Sequence, residues 1–524
     1  MSGDASTLPL PAVGAAAGDG GKVRAGFAGR FSRGRSGALV GARAGVLAGK
    51  LALTAVVALS LFVVLMAANR PIILTPTTHI GYFPHWMAGP LGGLLQGFTN
   101  DGTTLKYLFT GAVAAMYLGY LLVLKHARRL PARWVLAAIV AAHVVFLLAP
   151  PLALTDLFNY INYGRMEVVH NLNPYTTIPI LEPHNDPAFV LSNWHELLSP
   201  YGPLFTLLTF AVVPLGVAAS FWALKCVLML ASLATILLVW KCARLLGRDP
   251  VPAVAFVGLN PLVLIWGLGG DHNDFLMVVF IMLGFYLLLR AKARGFAQTV
   301  LPLSALEMGA GAAFVTAVAV KASAAVLLPI VLAGLLRAPR ALVQTVLGMI
   351  AAGIVVGAAS LLAFGLHIPD LSTQGSVVSA ESIPNLIGLA AGAGGESSGL
   401  RAALSLVLIA LVLLCCWLAW GGRRAQNSVD AGGGVARAIT ASGWANVALL
   451  VTLSWVLPWY VVWVLPLAAL SSSRRLRAAA LVVGVYLIVA WAPASGLLWN
   501  AIHFHPEKTS LGRLHQRTVK ELLN

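Results

Sequence analysis

Long apolar runs separated by short polar turns dominate the chain, and their length sets the elements they predict. A helix needs about 20 apolar residues to cross the roughly 30 Å hydrocarbon core of a bilayer. Runs of that order lie near residues 51–69, 104–124, 134–152, 221–240, 252–269, 274–290, 341–364, 401–420, 437–456 and 476–493. Two further stretches are more broken. Leu303 to Leu336 reads as two helices meeting at Lys321, and Ser454 to Leu470 as a helix end, a Pro-Trp-Tyr turn and a short return helix. Together they predict about thirteen spans.

Composition turns this pattern into a fold class. Of 524 residues, 59% are hydrophobic and 10% charged, too little polar surface to coat a soluble globule of this size. The expected fold is an all-α polytopic membrane protein. A net charge of +17 raises nucleic acid as a partner, but the placement of the basic residues argues against it. With the N-terminus inside, Lys22, Arg24, Arg30, Arg33, Arg35, Arg43 and Lys50 fall on the cytoplasmic side. So do Lys125/Arg128/Arg129/Arg133, Lys241/Arg244/Arg248, Arg290/Lys292/Arg294, Arg337/Arg340, Arg423/Arg424/Arg437 and Arg474/Arg475/Arg477. That asymmetry is the positive-inside rule of a bacterial-type plasma membrane, so the charge reports topology and no nucleic-acid partner is expected.

The rule also settles one segment. If Pro203 to Ala219 spanned, Lys241, Arg244 and Arg248 would lie outside, so this stretch is expected to lie in the outer interface, with Pro203 at its start and Pro214 near its end. The outer loop then covers about residues 153–220. Three parts result: a disordered basic arm over 1–50, poor in apolar periodicity; a transmembrane domain over 51–493; and an extracytoplasmic tail over 494–524. Cys226, Cys242, Cys415 and Cys416 fall in or beside apolar helices and read as small hydrophobes, not as disulfides or a zinc set.

The polar residues on the outer face are few. Asp156, Arg165, Glu167, His170, Asn173 and Tyr175 follow the third span in TDLFNYINYGRMEVVHNLNPY, and Glu182, His184, Asp186, His195, Glu196 and Tyr201 continue the loop. GGDHND, residues 269–274, joins two spans; Lys321 sits between apolar half-runs; Trp459 and Tyr460 mark another outer turn. An Asp at a helix centre costs about 2.5 to 3.5 kcal/mol in a membrane, so the GGDHND carboxylates must face water, a cavity or a partner. An ordinary capped turn would satisfy them through Asp271, Asn273 and Asp274. A hydroxyl-rich ligand would also use Asp271, His272, Asn273 and Asp274 as donors and acceptors. Lys321 either snorkels to the interface or faces a lipid phosphate, which Arg165 would grip bidentately. Asp156 is either the cap of the following helix or a general base toward an attacking sugar hydroxyl, with Lys321 or Arg165 stabilising a leaving phosphate.

At these residues a family becomes visible. DLFNYINYGR with NLNPY, then SPYGPLF, NPLVLIWGLGGDHNDFLM and LPWYVVWVLPL resemble, in order from Thr155 to Leu470, the GT-C polyprenyl-phosphomannose-dependent alpha-mannosyltransferases of bacterial lipoglycan assembly. The resemblance implies a GT-C-like bundle, a polyprenyl-phosphate mannose donor, a glycan or glycolipid acceptor at the extracytoplasmic face, and inversion with Asp156 as base. It implies donor-phosphate binding by Lys321 and Arg165, and sugar or acceptor binding by Asp271, His272, Asn273, Asp274, Tyr160, Asn173, Tyr175, Tyr201, Trp459 and Tyr460. Asp271 is an extra carboxylate relative to the family turn. It leaves a divalent cation open as a cofactor, although the loop carries no DxD or ExD pair. Two rival readings are a transporter or lipid-linked sugar flippase, for which Glu307 and His143 are the deep polar candidates, and a structural scaffold for envelope assembly.

Overall fold

The structure is a computed structural model that describes residues 28–69, 84–95, 97–98, 101–152, 156–296, 302–371, 377–421, 433–501 and 503. Arg70, Arg423, Arg424 and most of the expected C-terminal tail lie outside the described residues. Fifteen helices carry the description below. They are α1 (Ala28–Asn69), α2 (Gly102–His126), α3 (Ala132–Leu147), α4 (Asp156–His170), α5 (Pro203–Val212), α6 (Val217–Leu245), α7 (Pro250–Gly258) and α8 (Asp274–Ala293). Then follow α9 (Ala305–Val320), α10 (Leu328–Leu335), α11 (Pro339–Phe364), α12 (Ser398–Trp420), α13 (Gly433–Thr452), α14 (Leu465–Leu470) and α15 (Arg474–Trp491). There is no strand among the described residues.

Among the described residues, seven helices are long and apolar enough to cross a membrane, or eight if α15 and the short helix Ser495–Ala501, bent by 84°, count as one span. Five shorter apolar helical segments accompany them. Helix α1 begins at Ala28, well ahead of the apolar run at Leu51, and residues 1–27 of the expected arm lie outside the described residues. The expected span over 252–269 is two pieces. Helix α7 stops at Gly258, Pro261 cannot donate a backbone hydrogen bond, Asn260 Oδ1 accepts from Leu262 N at 2.9 Å, and a wide π-helical turn follows over Val263–Leu268. This broken segment is buried from Ala253 onward, the setting in which interrupted backbone is tolerated at membrane depth. The breaks at Lys321 and at Pro458 fall where the sequence places them.

Helices α6, α8 and α9 pack side by side, with α7 against α6 and α11 against α9. Glycine sets the α9–α11 distance: a Cβ on Gly311 would lie 1.9 Å from Thr345 O, and one on Gly348 2.0 Å from Met308 O. Small residues let helix backbones meet where lipid gives no hydrophobic drive for association. Helix α11 otherwise faces outward, with only 6% of its most apolar window buried, and α12 is nearly as bare at 11%.

Charge divides the ends of the bundle. Arg248 neighbours Arg477, which lies near Arg474 and Arg128, and Lys292 lies near Arg437. The opposite end carries the N-termini of α4 and α8; Asp274 and Arg290 stand at the two ends of α8, about 24 Å apart along its axis at 1.5 Å per residue.

The glycine contact yields a test of packing. Gly348→Val is expected to lower stability by about 1–3 kcal/mol through overpacking, read as a lower Tm of the detergent-purified protein. Gly353→Ala, with nothing within 4 Å of its added methyl, is expected to leave the Tm unchanged.

Candidate active site

Helix α4 is polar by composition yet buried along most of its length, so its side chains must find partners, and they do so in the outer loop. Asn159 Oδ1 accepts from the backbone amides of Asn193 at 3.0 Å and Trp194 at 3.3 Å, and its amide nitrogen donates to Asn193 Oδ1 at 2.8 Å. Asn162 donates to Glu182 at 2.5 Å and Tyr163 to Leu197 O at 2.5 Å. Arg165 grips Asp186 through Nε at 2.9 and 3.0 Å and Nη2 at 2.8 Å, and His170 Nε2 reaches the same carboxylate at 2.8 Å. These contacts recur at helical spacing, so one face of α4 fixes the loop over itself. Their result is Trp194, whose indole Nε1 donates to Asp156 Oδ1 at 3.4 Å.

The turn over residues 269–274 meets Asp156 from the other side. Asp271 takes the left-handed conformation at φ 57°, which Asp tolerates better than most residues. Its carboxylate receives the ammonium of Lys225 at 3.0 and 2.9 Å, both groups almost fully buried. Gly270 is required beside it, since a Cβ there would lie 2.5 Å from His272 Nε2. His272 stacks face to face on Trp459, with ring centroids 3.5 Å apart and planes 7° off parallel. Its Nδ1 stands 3.3 Å from Asp156 Oδ2, in ion-pair range, but at an angle that leaves both ring nitrogens without a hydrogen bond. Asn273 is fully buried and both polar atoms of its side chain lack partners, while its backbone N–H donates to Tyr160 OH at 3.3 Å. Asp274 opens α8, where a helix favours negative charge.

Lys321 ends α9 in extended backbone, φ −153° and ψ 124°. Its ammonium donates to both Asp274 oxygens at 3.0 and 2.9 Å and lies over the rings of Tyr460 at 5.1 Å and Trp463 at 5.6 Å. Trp463 Nε1 donates to Asp274 Oδ1 at 2.5 Å. The side chain is one-fifth exposed and its ammonium has three hydrogens, so it retains donor capacity beyond its carboxylate.

Of the residues expected at a site, Asp156, Tyr160, His272, Asn273, Asp274, Lys321, Trp459 and Tyr460 form one contiguous group. Tyr201 joins it through its ring, 4.8 Å from that of Tyr160. Others are engaged elsewhere. Arg165, expected on a phosphate, holds Asp186; Asp271, expected on a ligand or cation, holds Lys225. Asn173 donates to Phe364 O at 2.9 Å and caps Tyr175 N at 3.0 Å, and Tyr175 OH donates to Tyr201 O at 2.8 Å. No three His, Cys, Asp or Glu side chains converge on a point among the described residues. Sequence reasoning missed Lys225, Trp194 and Trp463, and gave Glu182 no role beyond its place in the outer loop. Lys225 carried a readable signal, a lone cation inside an apolar helix.

Two families of sequences match the chain. The N-terminal domain of alpha-(1->6)-mannopyranosyltransferases covers residues 72–337, just over half of the sequence, and the MptB C-terminal domain covers residues 380–505. The chain belongs to the alpha-(1->6)-mannopyranosyltransferase family. Among its relatives, alpha-(1->6)-mannopyranosyltransferase A of Mycobacterium tuberculosis is 29% identical over 68% of this chain and 69% of that one. Its namesake in Corynebacterium glutamicum is 26% identical over 60% and 66%. A probable alpha-(1->6)-mannopyranosyltransferase of Mycolicibacterium smegmatis is 29% identical over 66% and 67%. No solved structure matches.

The chain is therefore a multi-pass membrane mannosyltransferase, and the transporter and scaffold readings give way to an enzyme. The deep polar groups that favoured transport have local partners. His143 bridges α3 and α6, Nδ1 to Ile139 O at 2.8 Å and Nε2 to Ser232 Oγ at 2.9 Å; Glu307 contacts the Ser304 hydroxyl at the start of α9.

In the mannosyltransferase loop two carboxyls are shifted in opposite directions. Burial pushes Glu182 up from its ordinary 4.5 to about 7, against the opposing bond from Asn162. Asp186 is also pushed up by burial, but Arg165, the Ala188 amide and His170 outweigh this and hold it below the ordinary range.

Two stability tests follow from these pairs. Lys225→Met strands a buried carboxylate and is expected to cost about 3–5 kcal/mol, much of it recovered in Lys225→Met/Asp271→Asn; thermal unfolding of the single and double variants measures the difference. Because the Glu182 pKa is raised by folding, its stabilisation is complete below about pH 4.5 and is lost as pH rises through about 7. Glu182→Gln is expected to flatten the Tm-versus-pH curve across that window.

Proposed function

We propose that this mannosyltransferase moves a mannosyl residue from polyprenyl-phosphate-linked mannose to a glycan or glycolipid acceptor at the extracytoplasmic face, forming an alpha-(1->6) linkage with inversion. The observation that carries this reading is the meeting of Asp156, the unpartnered side chains of His272 and Asn273, and Lys321 at the end of the bundle opposite its basic residues. Buried polar groups left without protein partners are costly, and a sugar supplies hydroxyls that would satisfy them. Trp459, stacked on His272, adds an aromatic wall of the kind that packs against apolar sugar faces.

In this mechanism an acceptor hydroxyl attacks the anomeric carbon while its proton passes to Asp156, whose carboxylate is oriented by Trp194 and faces His272. The bond from the anomeric carbon to the phosphate oxygen breaks, and polyprenyl phosphate leaves. Lys321, already positioned by Asp274, offers its remaining hydrogen to that phosphate as charge develops. Inversion makes an alpha product from a beta-linked donor. Tyr460 and Trp463 flank the ammonium and restrict water there, which strengthens the attraction. The positive-inside rule supports the extracytoplasmic placement, because Arg128, Arg248, Arg474 and Arg477 gather at the other end.

Reconstituted protein with labelled polyprenyl-phosphomannose tests the assignment. Asp156→Asn keeps an oxygen for the Trp194 bond and is expected to leave the Tm unchanged while lowering kcat by about 10²–10⁴. Lys321→Gln is expected to weaken donor use more than acceptor use. Full turnover by Asp156→Asn removes Asp156 as the base.

A further inference from the structure

At the basic end of the bundle a crevice of about 400 Å³ opens between the turn joining α6 to α7, the end of α12, the start of α13 and the turn before α15. Arg248, Arg437, Thr440, Ser472, Leu418 and Trp444 line it. We propose that this crevice binds the phosphate headgroup of an anionic membrane phospholipid, whose acyl chains leave along the outward face of α12.

Three observations carry the proposal. First, the charge is one-sided. Arg248 and Arg437 line the crevice, Arg437 also donating to Ala419 O at 3.1 Å and Trp420 O at 3.3 Å; Lys292 packs against Gly433 at its edge, and no carboxylate is among the described lining residues. The neighbouring Asp249 is occupied as a helix cap, accepting from Val251 N at 3.0 Å. Burial and the nearby Arg477 both push the Arg248 guanidinium below its ordinary value, as expected of a cation held beside a like charge. Second, Arg248 Nη1 is buried with no hydrogen-bond partner, and a guanidinium edge is well matched to phosphate oxygens. The Ser472 hydroxyl lines the crevice beside it, while Thr440 donates to Ala436 O at 3.1 Å. Third, the wall is amphipathic. Leu418 is 43% and Trp417 55% exposed on α12, a helix that packs on α10 and α13 and is otherwise bare. A headgroup seated on the arginines therefore has an apolar path for its chains into the same leaflet, which a free anion would not use. Basic pockets between helix ends are suited to such lipids.

Native mass spectrometry of the delipidated full-length protein, titrated with phosphatidylglycerol or phosphatidylcholine, tests this. The wild type is expected to retain phosphatidylglycerol with about tenfold preference. Arg248→Gln is expected to lose that preference; Arg248→Lys and the exposed-site variant Arg133→Gln are expected to keep it. Mannosyl transfer by Arg248→Gln in phosphatidylcholine vesicles checks that the variant is folded. For the wild type, a photoactivatable phosphatidylglycerol is expected to label peptides containing Leu418 or Trp444. Equal retention of both lipids, unchanged preference in Arg248→Gln, or labelling confined to other helices overturns the proposal. Displacement of phosphatidylglycerol by millimolar inorganic phosphate identifies a free-anion site and overturns the lipid assignment.

Discussion

Hydrocarbon offers nothing to an unpaired N–H or C=O, so a chain can leave regular helix at membrane depth only where other protein covers it. The mannosyltransferase interrupts its helices at Asn260–Pro261, at Lys321 and at Pro458. The segments around the first and third breaks are among the most buried in the molecule. The interruptions bring irregular backbone and polar side chains to one end of the bundle. The breaks and the candidate site share that cause.

Electrostatics holds the arrangement once the backbone permits it. The turn over residues 269–274 carries two aspartates that face different lysines, Asp271 toward Lys225 on α6 and Asp274 toward Lys321 at the end of α9. Between them the side chains of His272 and Asn273 are displayed without hydrogen bonds of their own. The outer pairs anchor the turn and the inner residues remain available. Helix α4 follows the same division, since Asn159, Asn162 and Arg165 secure the loop while Asp156, at its first turn, faces His272.

Much of this was legible in the chain because charge and proline are expensive in apolar surroundings. Asp156, residues 269–274 and Lys321 stood out for that reason, and the helix breaks at Lys321 and Pro458 followed from local chemistry. Lys225 escaped notice because hydropathy averages over a window, and one cation barely dents the apolar run 221–240. The split of 252–269 was hidden in the same way. The pairing of Arg165 with Asp186 was not legible, because Asp186 lies 21 residues away in a loop without periodicity. Trp194 reaches Asp156 only through the fold of that loop.

The nearly bare helix α11 ends at Phe364, whose carbonyl accepts from Asn173 and whose ring lies 4.5 Å from that of Tyr175. Its inner half is clamped to α9 through Gly311 and Gly348, while its outer half meets chiefly lipid. Through these two contacts the outer tip of α11 is tied to the turn that follows α4, so the loop over the candidate site rests in part on a helix that is otherwise largely uncovered.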